Sequence, residues 1–73
     1  MTFPESQYIE AHNYAVTKAR QLNMCYGIEK MKEFNRTVYS VKMIPTNPDK
    51  RFGWETRCEV VTPESPIYTE IVR

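Results

Sequence analysis

An α+β fold, with one N-terminal helix packed on a three-stranded antiparallel sheet, is what the order of hydrophobic patterns along these 73 residues predicts. Three observations carry this. An apolar stripe of helical spacing runs from Tyr8 to Leu22, alternating strand-like runs follow from Cys25 onward, and prolines at 63 and 66 interrupt the chain near its end. The composition fits a single soluble domain, since nine aromatics are too many for a disordered segment and no apolar run is long enough for a membrane span.

The helix is expected over Phe3 to Leu22. Thr2-Phe3-Pro4-Glu5 reads as a capping box with Thr2 as cap, and Pro in a first helical turn costs no hydrogen bond. Ala11, Ala15 and Ala19 lie four apart and make a smooth strip that lets a helix approach a sheet closely. Asn23 is a plausible stop. The next stretch, Met24 to Phe34, fits a helix through Ile28, Met31 and Phe34, or a strand through Met24, Tyr26 and Ile28. Gly27 and the β-favouring Cys25-Tyr26 tip the reading to a strand that turns back through Asn35-Arg36, with Met31 out of phase as at a bulge.

The strongest strand signal is the pair of runs from Val38 to Val61, expected to form a hairpin around Asn47-Pro48-Asp49-Lys50, where Pro suits the second turn position. Symmetric pairing sets Met43 opposite Trp54, Val41 opposite Thr56 and Tyr39 opposite Cys58 on one apolar face against the helix. The other face carries Lys42 opposite Glu55, Ser40 opposite Arg57 and Val38 opposite Glu59. Glu29 would join Lys42 and Glu55 in a carboxylate–ammonium–carboxylate row. Residues 1–62 are read as the domain. Residues 63–73 form an extended tail whose apolar part, from Ile67 to Val72, could add a strand to this sheet or to a partner's.

Candidate chemistry is sparse. His12 is the one histidine and no serine or cysteine is placed beside it by any motif, so a partly buried or surface imidazole is the default over a catalytic base. Two cysteines, Cys25 and Cys58, without C-x-x-C spacing, do not make a zinc site and read as reduced structural thiols. Two glycines are too few for a phosphate cradle, so no cofactor and no small-molecule substrate are expected. Asn35-Arg36-Thr37 matches the glycosylation pattern and is read as a turn. The start, Met1 to Tyr8, is polar and contains Pro4 and Glu5, which points to the cytoplasm rather than to secretion.

What stands out is Lys50-Arg51-Phe52-Gly53-Trp54, two cations beside two aromatics at one connection. Aromatics and arginine dominate interface hot spots, so Lys50, Arg51, Phe52 and Trp54, with Tyr68 and Ile71 in the tail, are the candidate partner-binding residues. The same cations, with Lys30, Lys32 and Arg36, could instead grip phosphates while the aromatics stack on bases. A formal net charge of +1 supplies no general field toward nucleic acid or a membrane, which favours a protein partner.

The α-β-β-β order is similar to the first part of double-stranded-RNA-binding domains, but Pro63 and Pro66 stand where their basic C-terminal helix would begin. In size and element order the whole chain resembles the small αβ proteins that bacteriophages make to disable or redirect host machinery. That resemblance implies a non-catalytic regulator or inhibitor in the host cytoplasm, with bacterial RNA polymerase, and hence transcription regulation, as the first candidate target and a defence nuclease complex as another. Nucleic-acid binding is the alternative, and an enzyme built on His12 and scattered carboxylates ranks third.

Overall fold

A computed structural model of the chain describes residues 1–68. It is α+β with an N-terminal helix on an antiparallel sheet, and it differs from the expectation in having four strands and a second helix. The strands are β1 (Thr2–Pro4), β2 (Cys25–Glu33), β3 (Arg36–Ile44) and β4 (Glu59–Val61), and the helices are α1 (Tyr8–Leu22) and α2 (Pro48–Glu55). The sheet order is β1-β3-β2-β4 with every neighbouring pair antiparallel.

The expected capping box does not form. Thr2–Pro4 is an edge strand on β3, continued by a hydrogen bond from the Val41 amide to the Met1 carbonyl, and a 3-10 turn at Glu5–Gln7 leads into α1. Phe3 decides this. As a strand residue it packs on the core with its ring 5.7 Å from that of Tyr14, whereas Pro4, lacking an N–H, is tolerated at an edge. Asn23 does stop α1, in the left-handed conformation at φ 52°, and both its amide and that of Met24 return to the Ala19 carbonyl. Ala11, Ala15, Val16 and Ala19 are fully buried against Tyr26, Ile28, Val41 and Val61, so the alanine strip does seat the helix on the sheet.

Residues 25–33 are a strand without a bulge, and Met31 keeps the alternation by facing away from α1. Its partner is β3 along its whole length, through a two-residue turn in which Phe34 and Asn35 both have positive φ, 51° and 64°. That backbone matches the right-handed strand twist, and it closes the hairpin locally. The turn thus lies one residue before the expected Asn35-Arg36, and the register sets Glu29 opposite Ser40 rather than Lys42. A shift of two residues in pairing preserves faces, and Glu29 meets Lys42 diagonally at 2.6 Å.

The expected Val38–Val61 hairpin is overturned. Its connection is α2, and β4 pairs with β2 instead of β3. The residues taken as a turn start the helix: Asn47 caps it by accepting the Asp49 amide at 2.9 Å, and Pro48 occupies the first helical position. Asn-Pro suits both structures, because a type I turn and a first helical turn share their backbone angles.

Two crossovers follow, β1–α1–β2 and β3–α2–β4, each joining parallel strands that flank a third. They move the same way across the sheet but start from antiparallel strands, so right-handed connections place the helices on opposite faces. Tyr39, Val41 and Met43 accordingly share the α1 side, whereas Trp54 and Cys58 lie on the other, around a small second core of Cys25, Gly27 and Ile44. There Gly27 is required by close approach, since a Cβ on it would stand 3.0 Å from Cys58 Cβ and 3.1 Å from Ile44 Cγ2.

Candidate functional site

The Lys50–Trp54 cluster is on α2, and the helix divides it. Arg51 turns inward. Its guanidinium lies 3.2 Å from Cys25 Sγ, 3.4 Å from the Thr46 carbonyl and, through Nε, 3.2 Å from Glu55, so it ties the helix to the start of β2. Hydrogen bonding to Glu55 leads the effects that raise its pKa above the ordinary arginine value. Trp54 also turns inward and is half-buried, with the Arg57 guanidinium 4.7 Å and the Lys42 ammonium 5.9 Å from its ring centre. Both cations converge on Glu29, Lys42 at 2.6 Å and Arg57 at 3.5 Å. The Lys42 hydrogen bond holds the Glu29 carboxyl below the ordinary carboxylate range. The expected row was carboxylate–ammonium–carboxylate; the structure has one carboxylate between two cations, and Glu55 serves Arg51.

Phe52 and Lys50 face outward, and Phe52 is 76% exposed. Asp49 and Glu55 balance Lys50 and Arg51 along the helix, so its outer side is an apolar ring in a mixed-charge surround and not a basic tip. Thr56 closes the helix by donating its hydroxyl to the Gly53 carbonyl, and the Arg57 and Cys58 amides return to the Trp54 carbonyl.

The cations expected to serve nucleic acid do not converge. Lys30 and Lys32 lie on the α1 side of β2, Arg36 faces the opposite side at the hairpin tip, and Lys50 and Arg51 stand at the far end of the sheet. Between Cys25, where α2 is tied, and the tip at Glu33, eight strand steps span roughly 26 Å. Lys30 is 3.8 Å from Glu5 in a well-exposed pair.

A second cluster was not foreseen. His12 is buried at 7% exposure on α1, its Nε2 3.0 Å from the Pro66 carbonyl, which places a proton on Nε2. Its Nδ1 is 3.5 Å from a Glu59 oxygen, and the Tyr8 hydroxyl donates to the other Glu59 oxygen. Burial, followed by Glu59, pushes the Tyr8 phenol well above its ordinary pKa. Tyr68 packs edge-on to His12 at 4.6 Å, and its amide donates to Asn13 Oδ1 at 2.8 Å. The chain from Pro66 to Tyr68 is thus laid on α1, with Ile67 against the core, rather than on a sheet edge. Ile71 and the rest of 69–73 lie outside the described residues. The available signal was His12 itself, four residues from Tyr8 on the apolar stripe and in need of a polar partner; the mispaired hairpin had sent Glu59 to the outer face.

Both imidazole nitrogens point into the fold, and Cys25 and Cys58 are free thiols tied to the other face of the sheet, where burial raises the Cys58 pKa. Among the described residues no group of three His, Cys, Asp or Glu side chains could hold a metal ion, and no helix is long and apolar enough to cross a membrane. A cleft of about 480 Å³ opens between β1 and the tip of the β2–β3 hairpin. Comparison with protein-family models, with curated proteins and with solved structures gives no match in any of the three.

Proposed function

We propose that this chain is a non-catalytic protein-binding module that docks on a larger assembly through the outer side of α2. The observation that carries the reading is Phe52: an aromatic ring left 76% exposed on a helix that Asn47 caps and that Arg51, against Cys25, and Trp54, beneath Lys42, tie to the sheet. Full burial of such a ring is worth about 1.5–3 kcal/mol, which the isolated fold forgoes and a partner can recover. Rigid aromatic anchors ringed by mixed polar groups are what interface hot spots use. Lys50 and Asp49 supply that surround. The effect on the assembly would be inhibition or redirection by occupancy, and bacterial RNA polymerase is the first target to examine.

The test is affinity capture from bacterial lysate with the wild-type chain and with Phe52→Ala as parallel baits, across salt concentrations. One stoichiometric complex on the wild type, lost with Phe52→Ala while the variant's thermal melt is unchanged, is the expected result. Identical recovery on both baits would overturn the assignment of Phe52.

A further inference from the structure

The opposite end of the molecule carries a knob and a hole side by side. Phe34 is 92% exposed at the tip of the β2–β3 hairpin, in a two-residue turn where both φ angles are positive. Such positions ordinarily take Asn, Asp or Gly, so an aromatic there is held at a conformational cost while its ring stays almost wholly exposed. It borders, without filling, the cleft of about 480 Å³ whose walls include Thr2, Phe3, Pro4, Thr37 and Val38. The rim carries Glu33 and Arg36, a cross-strand pair of opposite sign.

We propose that two copies of this chain associate tip to tip about a two-fold axis, the Phe34 ring of each entering the cleft of the other. A two-fold interface brings one patch against itself, so a patch must hold its own complement. This one does, in shape through the ring and the cleft, and in charge through Glu33 of one copy against Arg36 of the second copy. An added strand suits the place less well. Only Arg36 and Thr37 continue β3 past β1, which leaves too little edge for a ladder. An anion is disfavoured because Glu33 stands beside Arg36. An aromatic side chain buries about 150–250 Å². Two rings and their surroundings therefore stay below the roughly 1,200 Å² of a standard interface, and the dimer is a weak one. The surface is independent of α2, which stands at the other end of β2.

Sedimentation equilibrium on the full chain, from about 10 µM to 1 mM, tests this against the weak-interface expectation. Wild type should pass from monomer to dimer, and Phe34→Gly should weaken association by about tenfold or more, because each dimer loses two anchors. Glycine relieves the positive φ at this position, so lost association with an undiminished thermal melt separates a missing knob from a damaged fold. E33R alone and R36E alone should each weaken the dimer, and an equimolar mixture of the two should restore it. Phe52→Ala should dimerise as wild type does. A wild type that stays monomeric at 1 mM, a Phe34→Gly variant that associates normally, or a mixture that stays monomeric would overturn the proposal.

Discussion

Replacing Gly27 with alanine probes the pairing of β2 with β4 at its tightest point. The new methyl would stand 3.0 Å from Cys58 Cβ, 3.1 Å from Ile44 Cγ2 and 3.2 Å from Cys58 Sγ, against ordinary carbon contacts of about 3.5–4.0 Å. Cys58 Cβ is fixed to the backbone and Ile44 is 2% exposed, so neither can swing aside and the sheet must give. Overpacking of this kind costs about 1–3 kcal/mol. Alanine recovers about 0.5–1 kcal/mol of that by restricting the unfolded chain. With neither neighbour free to move, the overpacking lies in the upper half of that range, so the net expectation is a loss of about 1–2.5 kcal/mol, which in a domain of this size lowers Tm by roughly 4–20 °C. Thermal melts followed by circular dichroism read it directly. In a Cys58→Ala background, which removes the Sγ contact, the cost of Gly27→Ala should shrink by about 0.5 kcal/mol or more, as expected for residues in contact. If the segment bearing Cys58 paired instead with β3, with Cys58 opposite Tyr39 as the sequence pattern suggests, Gly27→Ala would be neutral or stabilising. That outcome, or equal costs in the two backgrounds, would refute the placement of Cys58 over Gly27.

Ile44→Ala, which empties a site at 2% exposure in the second core, should cost about 2–5 kcal/mol in denaturant titration, whereas Phe52→Ala should stay within about 0.5 kcal/mol of wild type. Phe34→Asn should stabilise by about 0.5–1 kcal/mol, because asparagine accepts the left-handed conformation that phenylalanine occupies at φ 51°. Lys42 and Arg57 favour ionised Glu29 in the folded state, so that contribution is complete above the ordinary carboxylate value of 4.5 and is lost as pH falls through the lower folded value; Glu29→Gln should flatten the acid limb of stability against pH. The raised Tyr8 phenol acts in the opposite sense. The folded state keeps a proton that the unfolded state releases above 10.0, so stability falls as pH rises beyond that value, and Tyr8→Phe should remove this part of the alkaline decline.

Features that rest on local periodicity are legible in the residues alone. The alanine strip, Asn23 as the end of α1, and Tyr39, Val41 and Met43 on one face are all present, because helix and strand periods act over a few residues, whereas residues 25–33, whose pattern fits either period, are a strand. The Glu29–Lys42 pair survived a wrong register for the same reason, a two-residue shift leaving every side chain on its face. Tertiary structure decided which strand β3 takes as its neighbour. A two-residue turn at Phe34-Asn35 closes the β2–β3 hairpin, and Asn47-Pro48, equally good as a turn or as a helix start, is then free to begin α2. From that choice come the opposite-face placement of α2, the inward Arg51 and Trp54, the outward Phe52, and Glu59 beneath Tyr8 and His12. None of these follows from residue spacing, because each depends on contacts between segments that local pattern does not relate.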